Sequence, residues 1–237
     1  MNKILIVIAF AVGILLIILL ISKINLANKF RTEVKHLFAE SKNLSKKKYS
    51  KDEITDLPEP VQRYFKHILK EGQPYINYAR IKHDGQFKAD LKKGWMDIKG
   101  EQYATTEKPG FIWKGTTFMF VARDMYIADK GELIVSLFSL YNIVDAKGDK
   151  YNEGELLRWL GESILYPTNF LPSERLKWLT IDSKTAKLTF NYKTLSLNFK
   201  VTFNDVGEIT EMETKRYMGD ENLENWVIKA SHYKDIN

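Results

Sequence analysis

Residues 154–172 read GELLRWLGESILYPTNFLP and contain the strongest amphipathic helical pattern in a long run of strand-like sequence. Leu156, Trp159 and Leu160 recur at the spacing that places side chains on one face of an α-helix. A helix with one apolar face needs a partner surface that buries this face. The sequence therefore predicts a helix over residues 153–165 that packs against a sheet built from the flanking strands.

Both ends of this helix carry recognisable signals. Asn152, followed three residues later by Glu155, fits a capping box at a helix N-terminus. Tyr166 precedes Pro167, and the helical conformation is disfavoured for a residue before proline. The helix is therefore expected to begin just after Asn152 and to end before Pro167.

The other face of the predicted helix carries Glu155, Arg158 and Glu162, which no packing argument requires. Two interpretations stay open. Arg158 and Glu162, at i and i+4, can form a solvent-facing ion pair worth roughly a few tenths of a kcal/mol. Alternatively, the face lines a cavity in which a desolvated Arg158 binds a carboxylate or phosphate head group. Arg216, followed by Tyr217 near a predicted strand end, is a second polar candidate.

The sequence between residues 75 and 233 is otherwise rich in β-branched and aromatic residues, with turn signals between the strand-like segments. Short segments joined by tight turns favour antiparallel pairing over βαβ units. The predicted strands cover residues 75–83, 86–91, 95–104, 111–122, 125–128, 133–144, 176–181, 185–192, 195–203, 208–217 and 226–233.

Residues 111–120, FIWKGTTFMF, are bulky on both faces of the predicted strand. A sheet with one solvated face alternates more cleanly between apolar and polar residues. Either a helix covers the second face or the sheet curves around an apolar interior. We expect an α+β fold dominated by a curved, half-barrel-like antiparallel sheet, with the central helix packed against it.

The N-terminus carries an apolar run of 18 residues without a charge, residues 4–21. At about 1.5 Å per residue, such a helix is about 27 Å long, close to the hydrocarbon thickness of a bilayer. The run is longer than the apolar region of a signal peptide, and no small-residue cleavage site follows it. We expect an uncleaved, single-pass anchor over residues 1–23, with the lipid bilayer as the partner of residues 4–21.

A basic segment follows the anchor. Residues 24–51 are expected to form a juxtamembrane helix and a linker before a single globular domain over residues 52–237. The cluster of Lys46, Lys47 and Lys48 either contacts anionic lipid head groups or belongs to a solvated tether. More Lys and Arg residues lie on the C-terminal side of the anchor, so the positive-inside rule favours a cytoplasmic domain at the cell membrane.

The net charge of +6 belongs to the anchor and this basic segment. Residues 22–51 hold nine Lys or Arg and two Glu, and residues 52–237 carry a net charge of −2. A nucleic-acid-binding domain needs a basic face on its folded part. The charge distribution therefore argues against a nucleic-acid partner.

The sequence shows no signature of catalysis. The chain has no cysteine, which excludes disulfides, thiolate metal sites and a Cys nucleophile. Its four histidines are scattered, and no HExxH, GxSxG, dinucleotide or P-loop motif is present. We predict no catalytic residue, no metal and no cofactor, which argues against an enzyme, and the oligomeric state stays open.

Two tryptophans, Trp113 and Trp159, complete the set of candidate site residues. Aromatic side chains suit an apolar ligand pocket, but they are used more often in an ordinary core. The candidate ligand-binding residues are Arg158, Glu162, Glu155, Trp159, Trp113 and Arg216.

Several short motifs between residues 55 and 217 combine into a specific pattern. They are Leu57-Pro58-Glu59-Pro60-Val61 with Arg63, Tyr64 and His67; Pro109-Gly110-Phe111 with Trp113; Gly154-Glu155 with Arg158, Leu160 and Glu162; Pro167-Thr168; Leu171-Pro172; Trp178 with Ile181-Asp182 and Ala186; and Gly207 with Arg216-Tyr217. In this order and spacing, the motifs resemble an uncharacterised bacterial family, the domain of unknown function DUF6544.

The resemblance implies a family name but no reaction, because the family has no established activity. It implies that Arg158 and Glu162 belong to the central motif of the family. It also implies further strands beyond the Trp226 region, so that the C-terminus of this chain would be shortened. A sheet that lacks an edge partner for this reason would expose an unpaired strand edge.

Three classes of function stay open. The first is non-catalytic binding of a lipid or another amphipathic ligand near the membrane, which a tethered domain with an aromatic-rich sheet favours. The second is a protein-interaction or envelope-assembly module, which requires an exposed apolar patch without an enclosed cavity. The third is an enzyme acting on a membrane-associated substrate, which requires ionisable groups that converge in a pocket, such as Arg158 and Glu162 with His67 or Asp182.

Overall fold

The structure, a computed structural model, describes residues 3–88, 92, 94–218 and 222–234. The chain divides into two compact units, and each unit combines two segments that are distant in sequence. Unit 1 contains Met1–Lys42 and Ala79–Asn152, and unit 2 contains Asn43–Tyr78 and Glu153–Asn237. The single globular domain expected over residues 52–237 stays a prediction.

Unit 1 begins with α1, a continuous helix over Lys3–Glu40 that joins the apolar run to the juxtamembrane segment. The C-terminal part of α1 packs into the core of unit 1 through Phe30 and Leu37, which are both buried. A Cβ atom at position 110 would lie 2.7 Å from Leu37 Cδ1. Glycine at this position therefore allows α1 to approach the sheet closely.

The sheet of unit 1 has six antiparallel strands whose spatial order follows the sequence. This is the meander that short turns favour. Ile112, Met125, Ile127 and Ile134 form one apolar cluster with the buried residues of α1. The strands are β1 (Tyr78–Phe87), β2 (Met96–Thr105), β3 (Gly110–Thr116), β4 (Phe120–Ile127), β5 (Lys130–Leu137) and β6 (Tyr141–Lys147).

The predicted strand over residues 111–122 is in fact a hairpin, with a turn between β3 and β4. The Thr117 side chain accepts hydrogen bonds from the backbone N–H groups of Met119 and Phe120 and thereby stabilises the turn. No Gly, Pro or Asn marks this position, so the turn was not visible in the sequence.

The predicted strand over residues 133–144 also contains a turn, which separates β5 from β6. Phe138 and Ser139 have φ angles of 49° and 62°. Two successive residues with positive φ form the tight turn that suits a hairpin, and Asn-Gly pairs are its usual sequence signal. Here, Phe138 and Ser139 form the turn, although the sequence pattern predicts a strand at these positions.

The predicted turn at Asp84-Gly85 is wrong, because both residues lie inside β1. This strand is at the edge of the sheet, where it has a partner on one side. An edge strand tolerates glycine and charged residues better than a central strand. The pairing of β1 at the edge of the sheet therefore outweighs the local turn signal of Asp84-Gly85.

Unit 2 contains helix α2 (Glu59–Ile68) and a second antiparallel sheet of five strands. The buried residues of α2 include Val61, Tyr64 and Phe65. The ring centroids of Tyr64 and Phe203 lie 5.9 Å apart, so α2 packs against this sheet. In spatial order, the strands are β11 (Asn222–Lys229), β10 (Ile209–Met218), β9 (Leu195–Phe203), β8 (Thr185–Tyr192) and β7 (Leu176–Thr180).

The predicted α+β fold class with antiparallel pairing is confirmed. The predicted limits of β8 and β9 agree with the structure, because clean alternation of apolar and polar residues defines both strands. One detail differs, since the strands lie in two open sheets and not in one.

The central helix, α3, spans Asp149–Gly161, and a short 3-10 helix over Glu162–Leu165 follows it. The predicted N-cap is wrong, because α3 begins before Asn152. Asn152 Oδ1 instead accepts a hydrogen bond of 2.8 Å from the backbone N–H of Gly131. A side chain that can cap a helix can also bind another backbone donor, and here a tertiary contact replaces the cap.

Within unit 2, α3 packs on the five-stranded sheet as its apolar face predicts. Leu156, Trp159 and Leu160 are buried. The Trp159 ring centroid lies 5.4 Å from that of Phe190. At Gly161, a Cβ atom would lie 2.5 Å from Ile228 Cδ1, so the absence of a side chain brings the end of α3 against β11.

Candidate functional site

The ion pair predicted along the central helix is present. Arg158 Nε donates to Glu162 Oε1 over 2.8 Å. Both side chains are mostly buried, with 13% and 24% of their surface exposed. The pair is thus more shielded from water than the solvent-facing interpretation assumes, and it restrains the junction between α3 and the following 3-10 helix.

Glu155 does not share the environment of that pair. It is buried on the side of α3 that faces the sheet, and its Oε1 accepts a hydrogen bond of 2.9 Å from Arg216 Nη2 on β10. On a helical wheel, Glu155 lies about 40° from Trp159 and thus at the border of the apolar face. The helical wheel alone could not show whether the Glu155 carboxylate is buried against the sheet or faces away from it.

Arg216 contacts a ring as well as a carboxylate. Its guanidinium carbon lies 5.0 Å from the centroid of the Trp226 ring on β11, within the range of a cation–π interaction. The side chain is 20% exposed, and that of Glu155 is 4% exposed. The cluster of Glu155, Arg216 and Trp226 therefore ties α3 to two strands of unit 2.

The two candidate tryptophans are core residues. Trp159 is buried against Phe190 in unit 2. Trp113 is buried in unit 1, where its Nε1 donates to His83 Nε2 over 2.9 Å. Five of the six candidates thus lie in unit 2, where they belong to separate contacts, and Trp113 lies in unit 1. A ligand-binding role for this set stays a prediction.

The end of α3 holds a hydrogen-bonded cluster that the sequence did not reveal. The hydroxyl groups of Ser163 and Tyr166 both donate to the Trp159 carbonyl, over 3.0 and 3.1 Å. Burial raises the pKa of Tyr166 well above its ordinary value, and the negative charge of Glu162 raises this pKa further. The Tyr166 hydroxyl therefore stays protonated at neutral pH and acts as a structural donor.

This shift predicts a loss of stability at alkaline pH. Because the folded-state pKa of Tyr166 lies above the unfolded value of about 10, its contribution is fully present below about pH 10 and falls as the pH rises further. The Tyr166→Phe variant is expected to lose about 1 kcal/mol at pH 8, from the missing hydrogen bond. Its stability should then decline less steeply than that of the wild type up to about pH 11. Urea unfolding across this interval measures both effects, and equal slopes would contradict the assignment.

The remaining polar candidates have local roles. His67 is exposed on α2. Asp182 accepts a hydrogen bond of 2.8 Å from the backbone N–H of Lys184 in the turn between β7 and β8, and this bond is the main cause of its lowered pKa. Lys46, Lys47 and Lys48 are exposed on an extended segment.

Unit 2 has an open groove of about 500 Å³ across its sheet. Apolar side chains such as Leu157 and Phe199 line it, together with charged ones such as Lys200 and Glu213. Among the described residues that line this groove, neither Arg158 nor Glu162 is found. The hypothesis that this ion pair faces a cavity therefore gains no support from the groove.

Unit 1 has a second groove, of about 600 Å³, that the sequence did not predict. One wall is α1 itself, and the other consists of strand ends and turns of the six-stranded sheet. The lining is mostly apolar, with a lysine on the helical wall. Its main contributors are Leu16, Leu20 and Lys23 on α1, and Phe118, Phe120 and Phe138 on the sheet.

Residue types that could bind a metal do not cluster. Among the residues that the structure describes, no group of three or more His, Asp or Glu side chains is arranged to hold a metal ion.

Helix α1 is long and apolar enough to cross a membrane, by length and composition, and a signal sequence near an N-terminus passes the same test. The chain is thus an α+β protein with two antiparallel sheets and a candidate N-terminal membrane span. It matches the family of unknown function DUF6544 over residues 47–237 and belongs to that family. Searches of curated proteins and of solved structures found no match.

Proposed function

We propose that α1 anchors this protein in a membrane and that unit 1 binds a lipid or another amphipathic ligand without catalysis. One observation carries the proposal: the candidate membrane span forms a wall of an apolar groove of about 600 Å³. Pockets for small ligands typically enclose about 300–1,000 Å³ and have mostly apolar linings. The groove has the size and lining that such a ligand requires.

The distribution of charge along α1 supports an amphipathic ligand over a purely apolar one. Residues 4–21 carry no charge, and Lys23 follows this run after a single residue, Ser22. Leu16 and Leu20 line the same groove as Lys23. An acyl chain can lie against the leucines while an anionic head group pairs with the lysine at the level of the bilayer surface.

The basic segment after the anchor supports two further parts of the proposal. Lys46, Lys47 and Lys48 are exposed, as a contact with anionic lipid head groups requires. The excess of Lys and Arg on the C-terminal side of the apolar run supports a cytoplasmic location for the folded units.

Native mass spectrometry of the full chain tests ligand binding. We expect lipid to remain bound to the wild type after release into detergent. Thr116 is an exposed residue that lines the groove. The Thr116→Trp variant should fill the groove and lower the bound fraction about tenfold.

The matched control is Thr180→Trp, which adds the same indole at an exposed strand end of unit 2. This variant should retain lipid as the wild type does. Thermal unfolding of both variants checks that they are folded. A lipid-free wild type, or equal lipid content in the two variants, would overturn the proposal.

A further inference from the structure

The two ends of the six-stranded sheet of unit 1 differ in chemistry. Because the sheet is an antiparallel meander, the β1–β2, β3–β4 and β5–β6 turns lie at one end, and the β2–β3 and β4–β5 turns lie at the other. We call residues 95, 117–119 and 138–141 the apolar turns, and residues 106–109 and 128–130 the polar turns.

The apolar turns expose large side chains to an unusual degree. Phe118 is 95% exposed, Tyr141 is 69% exposed and Trp95 is 63% exposed. Met119, Phe138 and Leu140 are also exposed. The polar turns instead carry charged side chains, namely Glu107, Lys108, Asp129 and Lys130. Contiguous exposed apolar side chains on a soluble surface mark an interaction site.

The fold itself does not explain these residues. Phe138 has a φ of 49°, a conformation that is uncommon for a bulky residue and that Asn or Gly adopts more easily. Phe118 contributes almost no buried surface to the core. Since neither the turn conformation nor core packing calls for aromatic residues here, a partner outside the chain accounts for them better.

The position of α1 relative to the sheet identifies that partner. At the polar turns, Lys108 Nζ lies 2.5 Å from Glu40 Oε2 at the C-terminal end of α1. At the apolar turns, Phe118 and Phe138 line the groove with Leu16 and Lys23. The sheet therefore runs along α1, and its apolar end lies beside the end of the candidate membrane span.

The depth of the turns follows from the length of the span. Leu16 and Lys23 are about 10 Å apart along the helix axis. When residues 4–21 cross a bilayer, this interval covers the outer hydrocarbon and the head-group region. The side chains of the apolar turns lie beside this part of α1 and therefore reach the same layer of the bilayer. This is the layer in which Trp and Tyr concentrate in membrane proteins.

We propose that the apolar turns insert into the surface of the membrane that α1 crosses, so that unit 1 rests on the lipid through three turns as well as through its anchor. Basic side chains beside Trp95 fit an anionic lipid surface: Lys88 Nζ lies 4.9 Å from the Trp95 ring centroid, and Lys92 is exposed. The proposal rests on the membrane anchoring proposed above, but it does not require a ligand in the groove.

The absence of cysteine in the chain allows a direct test. Single cysteines replace Phe118 and Tyr141 on the apolar turns, Glu107 on a polar turn and Ile14 inside the span. Each full-length variant is labelled with an environment-sensitive fluorophore and reconstituted into phosphatidylcholine–phosphatidylglycerol vesicles that contain lipids with a nitroxide quencher.

We expect the Phe118→Cys and Tyr141→Cys labels to be quenched at least about threefold more strongly than the Glu107→Cys label. The Ile14→Cys label should be quenched as well. Quenching at Ile14 without quenching at Phe118 and Tyr141 would overturn the insertion of the turns and leave the anchor intact. An unquenched Ile14 label would overturn both.

The same measurements separate this proposal from ligand binding. Quenched labels on the apolar turns, together with a lipid-free wild type in native mass spectrometry, would support membrane insertion and overturn only the groove ligand. Labels on the apolar turns that are shielded from lipid and water alike would indicate a protein partner and overturn the insertion.

Discussion

Replacement of Glu33 by alanine is expected to cost about 3–5 kcal/mol of unfolding free energy, because it leaves a buried charge without its partner. Glu33 on α1 forms an ion pair with Arg123 on β4. The Arg123 side chain is 1% exposed, which makes it one of the most buried charges in unit 1. Without the carboxylate, the guanidinium stays inside the protein, and α1 loses a polar contact with the sheet.

Unfolding of the full chain in detergent, monitored by near-ultraviolet circular dichroism, measures this loss. The control is Arg31→Ala, which removes an exposed charge from the same helix and should change stability by less than about 0.5 kcal/mol. The double variant Glu33→Leu with Arg123→Met removes both charges and keeps similar volumes, so it should recover most of the loss. A Glu33→Ala variant as stable as the control would show that the pair is not needed.

Replacement of Glu155 by alanine should have the second largest effect, a loss of about 3 kcal/mol in the stability of unit 2. Arg216 would keep its contact with the Trp226 ring but lose its carboxylate partner at 2.9 Å. The loss is expected to be smaller than for Glu33, because the Arg216 side chain is partly exposed and water can compensate in part.

The matched control for this prediction lies on β10, the strand that also carries Arg216. Glu211 pairs with Lys229 over 3.8 Å, and both side chains are more exposed than those of the buried pair. The Glu211→Ala variant should therefore change stability by less than about 1 kcal/mol. Urea unfolding of the two variants measures both losses of stability. Equal losses would contradict the prediction that the buried pair of Glu155 and Arg216 stabilises unit 2 more than an exposed pair does.

If the prediction for Glu155 holds, Glu155 and Arg216 act through the fold of unit 2 and position α3 on the sheet. The prediction of a head-group site at Arg158 can be tested separately, because Arg158 pairs with Glu162 and not with the buried cluster.

Much of the fold could be predicted because its signals are local. Alternation over residues 195–203 defined β9, and an uncharged run defined the first part of α1. The hairpin turns at residues 117–119 and 138–139 escaped prediction, since they lack the residues that mark turns.

The groove of unit 1 escaped prediction for a related reason. Phe118 and Phe138 read as strand residues with a buried face, whereas the structure places them on turns beside α1. The two-sided apolar pattern of residues 111–120 has two structural origins. Its first part belongs to the buried strand β3, and its last part belongs to a turn whose large side chains are exposed.

By itself, the sequence determined the antiparallel α+β class, the apolar N-terminal helix and the resemblance to DUF6544, because each depends on the order and spacing of nearby residues. Tertiary structure alone decided that the strands form two sheets, that α1 lines a groove, and that Glu33 meets Arg123 across 90 positions and Glu155 meets Arg216 across 61. Such contacts depend on the path of the chain in space, and hydrophobic periodicity carries no information about which distant charge a buried carboxylate will meet.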